Sequence, residues 1–285
     1  MTEPAIEALE ERILVDPDDA GAWEVYAARL REQGDLRGEL AALESVAETR
    51  AERAQLAAWT AEVQRRWTPP GVATSTCEWR HGCIVGFTFR FDGRSDARRF
   101  VELMADSRLH LVSRLQLEFT DGLSSRALSA IATAELGRLR RLRARYHGRG
   151  NRVALALASQ PTLNLRTLDL RHTGMTDEGL VALAGCAQLR GLRALSLQHN
   201  RFTARGVVAL ARAPALEAIE VLDLRHNAIA ADGIAALAES PHLGRLTALY
   251  LYADELDRDG VRALASSTTL PRDLVRYWRA QEAVR

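Results

Sequence analysis

From Ile84 onward, apolar residues recur in a nine-residue frame, L-x-x-L-x-L-x-x-N, at intervals of 26 to 28 residues. The frame reads Ile84-Phe87-Phe89-Asp92, Val112-Leu115-Leu117-Thr120, Leu139-Leu142-Ala144-His147 and Leu165-Leu168-Leu170-Thr173. It continues as Leu192-Leu195-Leu197-Asn200, Ile219-Leu222-Leu224-Asn227 and Leu246-Leu249-Leu251-Asp254. A fixed period of this size predicts a stacked solenoid. Such an architecture offers one long surface suited to binding rather than to catalysis.

Within one repeat the fourth and sixth positions share a side of a short strand, so Leu222 and Leu224 point one way and Asp223 and Arg225 the other. A glycine stands nine residues beyond the sixth position in the best-formed units, at Gly179, Gly206, Gly233 and Gly260. A helical run begins around each, as in Ile234-Ala235-Ala236-Leu237-Ala238, with apolar residues at i, i+3 and i+4. Asn200 and Asn227 fall where the chain leaves the strand, where a buried amide is expected to satisfy turn groups of its own coil and the next. No unit buries its apolar face alone, so neighbours must share a core. In the third repeat Ala144 and His147 weaken the pattern, which predicts a local irregularity there.

The segments LRTLDLRHTGMTDEGLVALA, LRALSLQHNRFTARGVVALA and VLDLRHNAIAADGIAALA closely resemble leucine-rich repeats of the ribonuclease-inhibitor-like type. The resemblance is strong from Val112 to about Ala265. It implies an α/β fold, a right-handed horseshoe with strands on the concave side and helices on the convex side.

Residues 1–67 read as helices. Ile6, Leu9 and Ile13 form one stripe that stops near Asp16-Pro17, and Asp18 or Asp19 caps a second helix carrying Trp23, Tyr26 and Leu30. Gly34 ends it, and Asp35 caps a third with Leu36, Leu40 and Leu43. A longer stretch with Leu56, Trp59, Val63 and Trp67 runs to the linker Thr68-Pro69-Pro70-Gly71. The string DPDDAGAWEVYAARLREQGDLRGELAALE resembles the companion domain that precedes leucine-rich repeats in many bacterial proteins. Tyr26-Ala27, Leu30 and Gly34-Asp35-Leu36-Arg37-Gly38-Glu39 carry that resemblance, while Ala28-Arg29 replaces its Asp-Trp pair. WRHGCIVGF resembles the bridge into its first repeat, and a single tetratricopeptide-like helical pair is the alternative for the helices. The expected organisation is a helical module at 1–67, a linker and capping segment at 68–83, seven repeats at 84–270 and a C-terminal cap at 271–285, where Leu274, Val275 and Trp278 close the core.

Composition narrows the class. No run of 18 apolar residues exists and the start lacks a signal pattern, so the expectation is a soluble cytoplasmic protein. Three cysteines, Cys77, Cys83 and Cys186, make no disulfide framework. All 38 basic residues are arginine, a bias that points to GC-rich coding and a bacterial source. Residues 1–70 hold 15 acidic and 8 basic side chains, and the remainder 22 acidic and 30 basic, so a slightly basic solenoid follows an acidic start. That asymmetry permits an acidic partner on the repeats.

Equivalent positions form columns. The fifth positions are Thr88, Gln116, Arg143, Asp169, Ser196, Asp223 and Tyr250; the seventh are Arg90, Glu118, Arg145, Arg171, Gln198, Arg225 and Tyr252. Tyrosine and arginine are the residues favoured at binding hot spots. The expected contact set for a protein partner is therefore Arg143, Arg145, Asp169, Arg171, Gln198, Asp223, Arg225, Tyr250 and Tyr252. The alternative is a solvated face with Asp–Arg ladders that keep the surface soluble. The eighth column runs Phe91, Phe119, Tyr146, His172, His199 and His226. Its three histidines should lie about 5 Å apart, the spacing of neighbouring strands, but no carboxylate or cysteine completes a ligand set, and no metal is expected. The spacing of Cys77, His81 and Cys83 fits no standard zinc arrangement. Seven arginines between Gly137 and Arg152 raise nucleic-acid or anion binding as a rival, against which stand the overall charge of +1 and the alternation of strand side chains. No phosphate loop, nucleophile elbow or metalloprotease motif is present. The reading is a non-enzymatic protein–protein interaction scaffold with no cofactor, no small-molecule substrate and no membrane partner. Regulation of a small GTPase is an alternative by fold analogy alone.

Overall fold

The computed structural model describes residues 5–93, 95–120, 124–252 and 256–284. Two compact units interleave along the chain. One takes residues up to Phe89 with Glu102–Leu115 and Arg138–Arg140; the other takes Arg90–Val101, Gln116–Gly137 and residues from Arg141 onward. Twelve α-helices and eight strands are described, with β2 (Cys83–Phe91), α5 (Asp96–Met104) and β3 (Arg114–Phe119) contributing residues to both units.

In the first unit the four expected helices form: α1 (Ile6–Val15), α2 (Ala20–Glu32), α3 (Leu36–Glu44) and α4 (Arg50–Trp67). Asp19 caps α2 by accepting the Ala22 N–H, and Asp35 caps α3 by accepting the Arg37 N–H. A Thr49–Glu52 capping box, which the hydrophobic pattern did not reveal, starts α4. The helices do not close a core by themselves. Leu9, Ile13, Trp23, Tyr26 and Leu30 pack with Cys83, Val85 and Leu111. Strand β1 (Cys77–Arg80) and the start of β2 form an antiparallel hairpin through His81-Gly82, both at positive φ (46° and 71°), the two-residue turn that matches strand twist.

The Gly34–Glu39 segment has a physical task at nearly every position. Gly34 takes φ +71° to end α2. Asp35 caps α3 and pairs with Arg37 at 2.8 Å. Arg37 is buried, stacks 3.6 Å above the Trp67 ring and approaches Cys83 Sγ at 3.6 Å. At Gly38 the backbones of α3 and α2 come so close that a Cβ would lie 2.2 Å from the Arg31 nitrogen. Glu39 pairs with Arg31 at 3.1 Å. Burial pushes the Cys83 thiol up to about 11 despite the neighbouring guanidinium, so it stays protonated and inert. His81 bonds Glu44 rather than the cysteines, with Nδ1 2.9 Å from Oε2.

In the second unit β4 (Arg141–Ala144), β5 (Thr167–Asp169), β6 (Ala194–Ser196), β7 (Val221–Asp223) and β8 (Ala248–Tyr250) run parallel in chain order. Register is one-to-one throughout: Leu142, Leu168, Leu195, Leu222 and Leu249 align. These fourth-position leucines are buried, each removing enough apolar surface to contribute roughly 1.5–3 kcal/mol. Helices α6 (Ser125–Thr133), α7 (Gly150–Ala158), α8 (Asp177–Ala184), α9 (Ala204–Ala211), α10 (Ala231–Ala238) and α11 (Arg258–Ser266) follow the strands, and α12 (Arg272–Ala283) buries Leu274, Val275 and Trp278.

The irregularity expected in the third repeat lies in the turn and not in the strand. Strand β4 keeps register with β5, but α7 starts at Gly150, six residues after Ala144, whereas α8, α9 and α10 start seven residues after Leu170, Leu197 and Leu224. The asparagines bridge coils, toward the preceding repeat rather than the next. Asn200 Oδ1 accepts the N–H groups of Thr173 (3.1 Å) and Met175 (2.9 Å), and its Nδ2 donates to Leu170 O and Leu197 O. Asn227 repeats the pattern one coil later on Asn200 N and Leu197 O. The equivalent seventh-repeat residue, Asp254, lies outside the described residues. A second inter-repeat device escaped the sequence pattern: Asn151 Oδ1 accepts the Thr176 N–H and Asp177 Oδ1 the Thr203 N–H, so each residue fixes the start of the following helix.

Candidate binding face

All nine expected contact residues lie in the second unit, on or directly after β4 to β8. They divide by burial. Asp169, Asp223 and Gln198 are buried, at 4%, 6% and 8% exposure. Arg143, Arg145, Arg171 and Arg225 are partly exposed, and Tyr250 and Tyr252 are open to solvent at 46% and 37%. The buried carboxylates therefore act by holding arginines in place. Arg171 Nε donates to Asp169 Oδ1 at 2.9 Å, and Arg225 Nε donates to Asp223 Oδ1 at 2.9 Å. These hydrogen bonds raise both guanidinium pKa values above the ordinary arginine range. Arg145 approaches the same Asp169 at 3.8 Å. Arg143 has no carboxylate partner among the described residues.

The Asp–Arg pairing that could have made a merely solvated face also organises aromatic surface. The Arg225 guanidinium lies 5.1 Å from the Tyr250 ring and 5.6 Å from that of Tyr252, within cation–π reach of both. Fixing these three side chains in the free protein reduces the ordering cost that a partner would otherwise meet on binding. Gln198 Oε1 is buried with no hydrogen-bond partner among the described residues.

The eighth column is more ordered than its sequence signal implied. Phe91 stacks on Phe119 at 5.5 Å. Tyr146 stacks on His172 at 4.8 Å, His172 on His199 at 4.1 Å and His199 on His226 at 3.8 Å, and Tyr252 closes the series edge-on at 4.8 Å. The imidazole planes are within 13° and 22° of parallel. Imidazole lone pairs lie in the ring plane, so in parallel stacked rings they run side by side and do not converge on one ion. Among the described residues no cluster of three metal-ligating side chains occurs.

The rings also share a backbone peculiarity. Tyr146, His172, His199 and His226 all adopt φ between 54° and 60°, a left-handed conformation that costs a residue with a Cβ roughly 1–2 kcal/mol. That cost is borne four times in one column.

His147 occupies the asparagine position of the third repeat, edge-on to Phe119 at 5.0 Å. Its Nδ1 accepts the Arg149 N–H at 3.1 Å, which requires an unprotonated nitrogen. Burial lowers its pKa from 6.5 to about 4. Below about pH 6.5 the unfolded chain takes up a proton that the folded chain refuses, so this contribution to stability is full above pH 6.5. It is lost as pH falls toward 4, by up to roughly 1.4 kcal/mol per unit. Urea midpoints of the wild type should fall more steeply across that window than those of His147→Phe. Parallel pH profiles would show that His147 is protonated in the fold.

No helix among the described residues is long and apolar enough to cross a membrane. A search of curated proteins finds no match. A family model for the leucine-rich repeat matches residues 163–184, 189–211 and 219–238. These segments contain β5 with α8, β6 with α9 and β7 with α10, and through them the chain carries leucine-rich repeats.

Proposed function

We propose that the chain is a non-enzymatic interaction scaffold that holds a protein partner on the strand face of β4 to β8. Leucine-rich repeats generally mediate protein–protein interaction, and the observation that carries the site assignment is the Arg225–Tyr250–Tyr252 cluster. It combines exposed aromatic area with a guanidinium already fixed by Asp223. Arg143, Arg145 and Arg171 extend the contact, and Asp169, Asp223 and Gln198 support it from below. In the same reading the repeats are ribonuclease-inhibitor-like, residues 1–67 belong to a companion module of bacterial type, and the protein works in the cytoplasm.

The test is affinity capture from the source lysate, comparing wild type with Arg225→Glu/Tyr252→Ala. A partner retained by the first and lost by the second, with an unchanged melting temperature, supports the assignment. Equal retention by both proteins would move the contact elsewhere.

A further inference from the structure

We propose that the ring column Tyr146–His172–His199–His226–Tyr252 is the contact strip for an acidic segment of the partner, gripped more tightly as the imidazoles take up protons. This rests on the reading of the β4–β8 face as the partner surface, and names the chemistry that face selects.

Three observations lead there. The first is the constancy of the column. Across the fourth to sixth repeats the fifth position changes from Asp169 to Ser196 to Asp223, and the seventh from Arg171 to Gln198 to Arg225. The eighth is histidine each time, in a left-handed conformation that glycine would adopt with less strain. Strain repeated at one surface column points to function rather than to packing.

The second is which part of each ring is available. His172, His199 and His226 lie face to face at 4.1 and 3.8 Å, so each ring face is largely covered by its neighbour. His199 and His226 are nevertheless exposed. A ligand therefore meets ring edges, where imidazole carries its N–H and its basic nitrogen. Stacking of a nucleobase would need the covered faces, and a row of polar edges suits hydrogen-bonding side chains. Five rings match roughly five or six residues of an extended peptide at about 3.3 Å per residue.

The third is charge. At the third, fifth and seventh positions of the third to seventh repeats stand Arg141, Arg143, Arg145, Arg171 and Arg225, against only Asp169 and Asp223. Both carboxylates are buried and already bonded to arginines. Among the described residues, charged groups beside the column include Arg145 at Tyr146, the Asp169–Arg171 pair, and Asp223 with Arg225 at Tyr252. An acidic segment complements this surface, and a basic one does not.

Proton coupling follows from the stacking distances. Histidine ordinarily titrates within pH 5–8. Adjacent imidazolium rings at these separations repel. Carboxylates along the ring edges offset that repulsion. Proton uptake and acidic-ligand binding therefore reinforce each other, and the reinforcement is reciprocal.

The probe is a capped octaglutamate peptide, titrated at fixed salt at pH 7.5 and pH 5.8, with octaglutamine as control. The wild type should bind octaglutamate roughly tenfold more tightly at the lower pH, within the usual range of coupled sites. The variant His172→Phe/His199→Phe/His226→Phe, which keeps the rings, should bind equally at both. Should that variant not fold, imidazole proton resonances of the wild type give the second reading: peptide should raise the apparent titration midpoints of these three histidines and of no others. A pH response retained by the triple variant, or imidazole midpoints unmoved by peptide, overturns the ring column. Absence of octaglutamate binding, with partner capture still abolished by Arg225→Glu/Tyr252→Ala, overturns the acidic class and leaves the face standing. Failure of both experiments removes the face as well.

Discussion

Asn200→Ala should lower the unfolding free energy by on the order of 4 kcal/mol, the largest loss of any single side-chain truncation on the turns. The amide is buried and fully engaged. Its oxygen takes the Thr173 and Met175 N–H groups together with the Thr173 hydroxyl at 2.9 Å, and its nitrogen serves the Leu170 and Leu197 carbonyls. Truncation strands the buried N–H groups of Thr173 and Met175, each costing about 1–3 kcal/mol when left without a partner, whereas Leu197 O keeps Asn227 Nδ2 and Leu170 O keeps the Thr173 hydroxyl. Asn227→Ala should cost less, because Asn227 is only partly buried and its oxygen accepts the Asn200 N–H. Urea denaturation with matched m-values measures both. A loss below about 1 kcal/mol at Asn200 would mean that water replaces the amide.

The second large effect is expected at Gly38. A methyl group there meets backbone, not yielding side chains: the Arg31 nitrogen at 2.2 Å, and Ala27 O and Arg31 Cα each at 2.7 Å. Helices α2 and α3 would have to move apart, opening the layer that contains Trp23, Tyr26 and Leu30. Gly38→Ala should therefore cost more than about 3 kcal/mol, at the upper end for overpacking. Gly34→Ala provides the contrast four residues earlier. Nothing lies within 4 Å of its added Cβ, and only the φ of +71° penalises it, by roughly 1–2 kcal/mol. A thermal melt that ranks Gly34→Ala below Gly38→Ala would contradict the close helix crossing.

The comparison of these positions shows what a sequence pattern can carry. The spacing of Leu168, Leu195 and Leu222 was legible because strand alternation leaves one solution for a buried leucine every 27 residues. Asn200 was legible as a turn amide, but its direction was not, since a hydrogen bond to the preceding coil has the same sequence signature as one to the next. Gly38 was visible only as part of a motif; its close approach to Arg31 is a distance between helices that periodicity does not encode. For the candidate face, the columns of fifth and seventh positions were readable from the frame. Their division into buried Asp169 and Asp223 and exposed arginines was not, because alternation sets a side, not a depth. The ring stack was anticipated as neighbouring histidines at strand spacing. Its tighter 3.8–4.1 Å contacts occur with a left-handed backbone at His172, His199 and His226, which strand alternation does not encode.

The interleaving of the two units sets an order on synthesis. Trp23, Tyr26 and Leu30 are made early, yet the residues that complete their core include Leu111, and the Tyr26 hydroxyl finds His110 Nε2 at 3.3 Å. A ribosome must therefore deliver more than a hundred residues, past the proline linker and through the first repeat, before the leading helices can finish folding. Nascent chains released before Leu111 would leave the apolar side of α1 and α2 without its last partners. The repeats following Arg141 hold their parallel ladder by contacts between successive coils, and can add to it one coil at a time as they emerge.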